Sequence, residues 1–513
     1  MPPLARRNRN GGRMELEQTL AQKSRRAFHW YYAGAVARIV LSFGTNILLA
    51  RLLGPVPFGE MALVLIVVSV GNLVSNAGIP AALVQRPTLT KTDIRVAFTL
   101  QMLVGAAISL LVWSTAPAIA ALFAHPILAP LLRTSAPVFL LQAFGSTASA
   151  LLQRQHRART LQTAFLLSYA IGFLGLAIPM ALLGQGVWAL IAAQLVQAGA
   201  NSALLYSKVR HSIVPRLRSS SGGLLSFGAK VLVANLCSWG ILNLDNALVG
   251  RFWGSFQLGL YSRAFSLAQT PADTVTSSVQ QVLLPSVAQA DERRARLCDI
   301  HAAIFGFVLL LLGPVFASMA ATPGLVIRGL YGEAWIAAAP LFRPLALAIP
   351  LHAAMAIAGP MLMARGRPQL ETACQFISLL LAGAVYGWAV AYSVVWLSWA
   401  VLGVYLVRCL IVSGVVIHVS GGRWRALASV SWPAALASSI AVFSALGSKL
   451  ILPAAWAPLR LMIAVATVGM SLAGLWLAMG PALLRPMQAK LPQIVTIVPR
   501  WMRKMAWRSD SFL

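Results

Sequence analysis

The chain has 513 residues, of which 58% are hydrophobic and only 10% are charged. Soluble domains carry roughly 25% charged residues, so this composition excludes a water-soluble globular protein and indicates an integral membrane protein. The net charge of +29 is typical of basic cytoplasmic loops beside anionic lipid, and no soluble domain offers a face for nucleic acid. The four scattered cysteines lack a CxxC spacing, which argues against a disulfide framework or a zinc site. We expect no cofactor and no metal site.

Residues 1–26 are polar and basic, and the apolar segment after them is too long for the core of a cleaved signal peptide. We therefore interpret 1–26 as a disordered cytoplasmic tail followed by a retained first helix. Apolar runs long enough to cross a bilayer predict fourteen transmembrane spans. These spans are 27–52, 60–84, 95–121, 127–151, 161–183, 186–207, 224–251, 259–285, 301–322, 337–364, 371–391, 394–419, 427–448 and 457–480.

Basic residues alternate between the predicted loops. Most Lys and Arg residues lie in the two tails and in every second loop, whereas the intervening loops, such as 184–186 and 392–395, are nearly uncharged. The positive-inside rule then places both termini in the cytoplasm. The extracytoplasmic loops are too short to present catalytic carboxylates. The chain also lacks a Walker A sequence, H-E-x-x-H, G-x-S-x-G and paired carboxylates at catalytic spacing. The sequence therefore predicts a transporter and not an enzyme.

An internal duplication organises the chain. Asn46–Gly59 and Asn246–Gly259 share the pattern N-x4-R-x2-G-x4-G, and each copy ends one span and begins the next. Internal repeats are a recurrent construction of transporters, with the substrate site between the halves. We expect an all-α polytopic protein with two pseudo-symmetric six-helix lobes and a final helix pair. The predicted parts are a tail (1–26), a lobe (27–207), a linker (208–223), a second lobe (224–419), a helix pair (420–480) and a basic tail (481–513).

Polar side chains inside the predicted spans are candidates for a substrate cavity, because ionisable groups at membrane depth are costly and usually functional. The candidates are Arg38 and Asn46 in span one, Asn235, Asp245 and Asn246 in span seven, and Arg263 and Asp273 in span eight. Hydrogen bonding or ion pairing between helices is the alternative interpretation of the same residues. For Asp245 we expect either a permanent arginine partner or a site that binds a proton or Na⁺ in one transport state.

Several motifs resemble the polysaccharide flippase branch of the multidrug/oligosaccharidyl-lipid/polysaccharide exporter superfamily. They are R-L-L-G-P-V-P-F-G (Arg51–Gly59), G-I-P-A-A-L-V-Q-R (Gly78–Arg86) with Asp93, N-L-D-N-A-L-V-G (Asn243–Gly250) and L-G-L-Y (Leu258–Tyr261) with Pro271 and Pro285. The resemblance covers roughly residues 28–420, and its motifs do not identify a glycan.

The resemblance implies a flippase that moves undecaprenyl-pyrophosphate-linked oligosaccharide from the inner to the outer leaflet of the bacterial inner membrane by alternating access. It also implies cationic cavity residues that meet the pyrophosphate, for which Arg38, Arg51, Arg251 and Arg263 are the candidates. Expected partners are the lipid-linked substrate, membrane lipids, a polysaccharide polymerase and chain-length machinery. A multidrug/cation antiporter on the same fold is the alternative, although bases outnumber acids among the cavity candidates. A membrane enzyme and an assembly scaffold are weaker alternatives.

Overall fold

The structure is a computed structural model of the chain. It describes residues 34, 36–75, 79–86, 89–216, 224–289, 294–355, 358–364, 367–451, 462 and 465–470. Both predicted tails, 1–26 and 481–513, lie outside these residues. Within the described part of the chain the regular secondary structure is helical, with no β-strand.

The helices are numbered here in chain order. They are α1 (Val36–Leu53), α2 (Pro55–Ser75), α3 (Ile79–Gln85), α4 (Lys91–Leu122), α5 (Leu128–Ser135), α6 (Val138–Arg154), α7 (Ala158–Tyr169), α8 (Ile178–Leu182), α9 (Val187–Val209), α10 (Leu224–Gln289), α11 (Arg294–Ala321), α12 (Pro323–Tyr331), α13 (Ala339–Met355), α14 (Ala358–Ala364), α15 (Pro368–Val390), α16 (Val394–Ser420) and α17 (Trp424–Ile451). A π-helical segment (Ala170–Ala177) joins α7 to α8, and a 3-10 helix (Glu333–Ala338) precedes α13.

The described residues contain 11 segments long and apolar enough to cross a membrane. They coincide with spans one to six and nine to thirteen of the sequence prediction. The 66-residue helix α10 covers predicted spans seven and eight and bends between them. Predicted span fourteen, 457–480, lies mostly outside the described residues. The predicted class, an all-α polytopic membrane protein, is confirmed.

The chain divides into two compact units. Unit 1 contains the described residues up to Leu53 together with Leu63–Leu236, and unit 2 contains Gly54–Ala62 together with the described residues from Cys237 onward. The first turns of α2 therefore belong to unit 2, while the rest of that helix belongs to unit 1.

Small residues bring the helices of unit 1 into close contact. A Cβ atom built on Gly145 of α6 would lie 2.9 Å from Cα of Ser202 on α9, and one on Gly105 of α4 would lie 2.7 Å from Cβ of Ala143. Such close backbone approach is characteristic of helix packing in membranes, where van der Waals contact replaces the hydrophobic effect. These contacts fix α6 between α4 and α9.

Unit 2 is built around α13, which packs against α11 and α16. Phe342, Leu345 and Ile349 of this helix are fully buried. Helix α11 also packs along α17, where a Cβ atom on Gly306 would lie 2.6 Å from Cβ of Val430. The helices of predicted spans nine, ten, twelve and thirteen therefore pack together in unit 2.

The first glycine of each copy of the repeated motif has a similar positive φ angle. Gly54, between α1 and α2, has φ +74°, and Gly254, at the bend of α10, has φ +78°. This left-handed conformation is strained for residues with a side chain, so both bends require glycine. Gly59 and Gly259 then meet in unit 2, the first against Ser255 and the second against Pro55. This reciprocal packing of equivalent positions supports the predicted duplication.

Candidate functional site

A polar cavity of about 420 Å³ lies inside unit 1. Its walls come from α6 and α9, with Phe165 of α7 and Pro80 of α3 completing the lining. The volume is within the range of ~300–1,000 Å³ that small-molecule sites occupy. No residue lining the cavity carries an ionisable side chain.

The cavity is polar because two helices each present a stripe of amides and hydroxyls to it. The stripe on α6 contains Gln142, Ser146, Ser149 and Gln153, and the stripe on α9 contains Gln194, Gln197, Asn201 and Ser202. Spacings of three and four residues place each set on one helix face. The opposite face of α6 is apolar and buried, as at Ala148 and Leu151. The sequence thereby directs the polar face of each helix into the cavity.

Some of the lining groups are already hydrogen-bonded and some are not. Ser146 Oγ donates to Gln101 Oε1 at 2.8 Å, and Ser202 Oγ donates to the carbonyl oxygen of Leu141 at 2.5 Å. Gln194 Oε1 is buried and has no hydrogen-bond partner among the described residues. Because a buried polar atom without a partner costs free energy, this oxygen is suited to accept from a bound ligand.

The candidate Arg38 lies beside this cavity. Its side chain is exposed, and its guanidinium carbon lies 5.1 Å from the ring centroid of Phe165, which lines the cavity. A cation over an aromatic face is attracted by the ring quadrupole, which holds the guanidinium near this position. The structure therefore places a cation next to a neutral, hydrogen-bonding cavity within unit 1.

The other candidates of α1 are placed differently. Asn46 is half-buried, and its Nδ2 donates to the carbonyl oxygen of Ser42 at 2.8 Å. Thr45 next to it is buried and donates to the carbonyl of Leu41. Arg51 is exposed near the end of α1. The side chains of Thr45 and Asn46 are therefore hydrogen-bonded to the backbone of their own helix.

In unit 2, Asp245 is buried, with 2% of its surface exposed. Its Oδ2 accepts a 2.5 Å hydrogen bond from the Tyr261 hydroxyl, and its Oδ1 accepts from the backbone N and the side-chain Nδ2 of Asn246. No arginine contacts this carboxylate among the described residues. Tyr261 follows the bend at Gly254, so the bend brings together two residues that are distant along α10.

The remaining arginine candidates of unit 2 contact aromatic rings. The guanidinium carbon of Arg263 lies 4.6 Å from the ring centroid of Phe58, whose ring packs edge-on against Trp335 at 5.8 Å. Arg251 is exposed, with its guanidinium carbon 5.7 Å from the ring centroid of Phe252. Both guanidinium groups therefore lie over aromatic rings in cation–π geometry.

Two further candidates of α10 complete the predicted set. Asp273 is exposed, and its Oδ1 accepts from Gln269 Nε2 at 2.8 Å. Asn235 lies on the described helix, but its side chain is not among the described groups. Within the residues that the structure describes, no group of His, Cys, Asp or Glu could hold a metal ion.

The described part of the motif, residues 79–86, forms a structural junction with Asp93 in unit 1. Arg86 Nη1 lies 3.0 Å from Asp93 Oδ1. Asp93 and Thr90 exchange hydrogen bonds that cap the start of α4. Arg154 Nη1, at the end of α6, donates to the carbonyl oxygens of Leu83 and Arg86. The junction ties α3, α4 and α6 together, so we assign it to stability.

Sequence reasoning missed the cavity and a buried cation. The stripes on α6 and α9 were readable as three- and four-residue spacings of Gln, Ser and Asn, yet neutral residues of this kind also occur in ordinary helix packing. Arg408 of α16 is 9% exposed, and its Nη2 donates to Gln375 Oε1 at 2.9 Å in unit 2. Its position inside an apolar span was the signal for this residue.

The fold of the chain is similar to the folds of two solved membrane proteins, a flippase and a MATE transporter. The chain is similar to the structure of the lipid II flippase MurJ in an inward closed conformation, with a TM-score of 0.68 and 12% identity over 87% of this chain and 98% of that chain. It is also similar to an inward-facing multidrug resistance MATE family transporter of the MOP superfamily, with a TM-score of 0.57 and 14% identity over 75% and 94% of the two chains.

Residues 48–340 match the family profile described as polysaccharide biosynthesis protein, and since this is more than half of the chain, the protein belongs to that family. It is 26% identical over 58% of its length to the teichuronic acid biosynthesis protein TuaB of Bacillus subtilis (strain 168), and 27% identical over 62% to the succinoglycan biosynthesis transport protein ExoT of Rhizobium meliloti (strain 1021). The matches span 62% and 64% of those relatives, which is less than two thirds of each.

Proposed function

We propose that this protein flips undecaprenyl-pyrophosphate-linked oligosaccharide from the inner to the outer leaflet of the bacterial cytoplasmic membrane, for surface polysaccharide synthesis. Membership of the polysaccharide biosynthesis family supports this proposal. The names of two relatives, one for teichuronic acid biosynthesis and one for succinoglycan transport, agree with it. The MurJ-like fold is compatible with such a substrate.

The observation that carries the proposal is the position of Arg38 beside the polar cavity of unit 1. A lipid-linked oligosaccharide has an anionic pyrophosphate next to neutral or weakly charged sugars. Arginine binds phosphate oxygens through two parallel N–H groups, while amides and hydroxyls match the donors and acceptors of a sugar. The two chemistries of the substrate head thus have neighbouring counterparts in one unit.

The remaining candidates are each proposed to contact the substrate within their own unit. Arg51, Arg251 and Arg263 are assigned to the pyrophosphate along its path, and Asn46, Asn235, Asn246 and Asp273 to polar groups of the substrate. Asp245 is proposed as the group whose partner differs between transport states, because a bound species shifts a conformational equilibrium only through its differential affinity. We propose the lobes 27–207 and 224–419 as the moving halves.

The multidrug/cation antiporter remains the alternative function. The likeness to MATE transporters supports it only at the level of the fold. An antiporter for cationic drugs would need an acidic binding cavity, whereas the cavity of unit 1 has no ionisable lining residue and a cation beside it. We therefore favour the lipid-linked glycan as the substrate.

The orientation and partners of the protein follow from the loop charges and from this function. Both termini are proposed to be cytoplasmic, because the basic loops alternate with uncharged ones. A polysaccharide polymerase and chain-length machinery are the proposed protein partners, since they would use the flipped repeat unit.

Replacing Arg38 tests the proposal in cells. In a strain that lacks the protein, Arg38→Ala should fail to restore surface glycan while it accumulates to a normal level in the membrane. Arg38→Lys should restore only part, because lysine keeps the charge but loses the two-pronged contact. Arg133→Ala is the matched control, since Arg133 makes the same type of contact with Trp113 at 5.1 Å but does not line the cavity. Full export by Arg38→Ala would remove Arg38 from the site.

A further inference from the structure

The cavity of unit 1 has the properties of a sugar subsite. Amide side chains offer both donors and acceptors, as sugar hydroxyls require, and Gln194, Gln197 and Asn201 present three of them from one face of α9. The backbone of Gly172 in the π-helical segment packs closely against Gln197. A Cβ atom built on Gly172 would lie 3.0 Å from the Cβ atom of Gln197. π-helical segments frequently mark functional sites in membrane and soluble helices.

The absence of charge in the lining restricts the kind of sugar. All the polar lining groups are amides or hydroxyls. A carboxylate placed there would lose its hydration without gaining an oppositely charged partner in the lining, which is strongly unfavourable. A neutral hexose or N-acetylhexosamine would instead replace its water contacts with the two stripes. The cavity therefore favours a neutral sugar over a uronic acid.

Phe165 connects this cavity to the cation. Its ring lines the cavity, and Arg38 lies over the same ring at 5.1 Å. A group held by the Arg38 guanidinium would therefore lie beside a ring that also lines the cavity. In a glycosyl pyrophosphate, the sugar that lies this close to the phosphates is the first one.

We propose that this cavity, formed by α6 and α9 within unit 1, is the place where the protein binds a neutral sugar attached directly to the pyrophosphate. The inference rests on the proposed function, because Arg38 must hold the pyrophosphate for the sugar to enter beside Phe165. Its specific content is that the first sugar contributes affinity through α6 and α9, separately from the phosphate.

Binding measurements on the purified protein in lipid nanodiscs separate the two contributions. The probes are undecaprenyl pyrophosphate without sugar and the same lipid carrying glucose, galactose, N-acetylglucosamine or glucuronic acid. At least one neutral sugar should tighten binding by about tenfold over the bare lipid, the effect of one or two net hydrogen bonds. Glucuronic acid should give no such increase.

The variants locate the effect. Asn201→Ala and Gln197→Leu should each remove most of the additional affinity that the sugar gives over the bare lipid. Binding of the bare lipid itself should stay unchanged. The leucine variant approximately keeps the side-chain volume. Gln185→Ala is the matched control, since Gln185 is exposed in the turn before α9 and does not line the cavity. Arg38→Ala should weaken the bare and the glycosylated lipids alike.

The outcomes distinguish the inference from the function beneath it. If bare lipid binds through Arg38 but no neutral sugar adds affinity, or if both cavity variants keep the increment, the cavity holds only water and the inference is overturned. If Arg38→Ala does not weaken the bare lipid, the phosphate assignment of the proposed function fails, and the sugar subsite fails with it.

Discussion

Gly59→Ala tests the packing of the duplicated motif inside unit 2. A Cβ atom at this position would overlap the carbonyl oxygen of Ser255 and lie 2.6 Å from its carbonyl carbon and 2.9 Å from the Gly259 nitrogen. Because the overlapping atoms belong to the backbone, no change of side-chain rotamer can relieve the overlap. The start of α2 must therefore move away from the part of α10 that follows its bend. Overpacking of this kind costs about 1–3 kcal/mol. We expect the free energy of unfolding in detergent to fall by about that amount.

Two alanine variants calibrate this loss. Gly259→Ala should cost a similar amount, since its Cβ atom would overlap the carbonyl group of Pro55. Gly44→Ala in α1 meets nothing within 4 Å, so this variant should gain about 0.5–1 kcal/mol from helix propensity. Denaturant titrations of the three purified variants measure the differences. If Gly59→Ala is as stable as Gly44→Ala, the reciprocal packing described here is incorrect.

Three further predictions address coupling, pH and topology. In proteoliposomes, Asp245→Asn should fold but flip the lipid-linked glycan slowly and without dependence on a proton or Na⁺ gradient. Tyr261→Phe should keep this gradient dependence. If the Asn variant flips the substrate like the wild type, Asp245 has only a structural role. Burial lowers the pKa of His211 below its ordinary value. The contribution of neutral His211 to folding stability is therefore fully present above the pKa of the unfolded state and is lost as the pH falls below it. His211→Phe should flatten the loss of unfolding free energy between about pH 7 and 5, and an unchanged pH profile would contradict this. In a variant without native cysteines, an impermeant maleimide should label Cys at position 184 from outside intact cells but not Cys at position 157; the reverse would overturn the topology.

The fold could be predicted from composition, periodicity and the repeated motif. Span lengths and loop charges are local properties, and Gly54 and Gly254 were detectable because their bends require glycine in both copies. The meeting of Gly59 and Gly259 was not predictable from the pattern alone, since it depends on how the helix starts pack.

The candidate site could be predicted only in part. Arg38 was selected for its charge within an apolar span, but its neighbour Phe165 lies in another helix and has no distinguishing signal in the sequence. Asp245 was selected for the same reason, and its contact with Tyr261 depends on the bend of α10. The stripes of α6 and α9 escaped attention because neutral amides and hydroxyls are compatible with ordinary helix packing.

The most direct test of the proposed function is a flipping assay with the purified protein in liposomes. Undecaprenyl pyrophosphate carrying a labelled oligosaccharide is placed in both leaflets, and a glycosidase outside the vesicles reports how quickly the inner pool becomes accessible. We predict that the protein makes the inner pool accessible much faster than in protein-free liposomes. Arg38→Ala should lower the rate by about tenfold or more, since it removes a charge-assisted contact with the phosphates, and Arg133→Ala should leave the rate unchanged. A rate no faster than in protein-free liposomes, or equal rates for the two variants, would contradict the account.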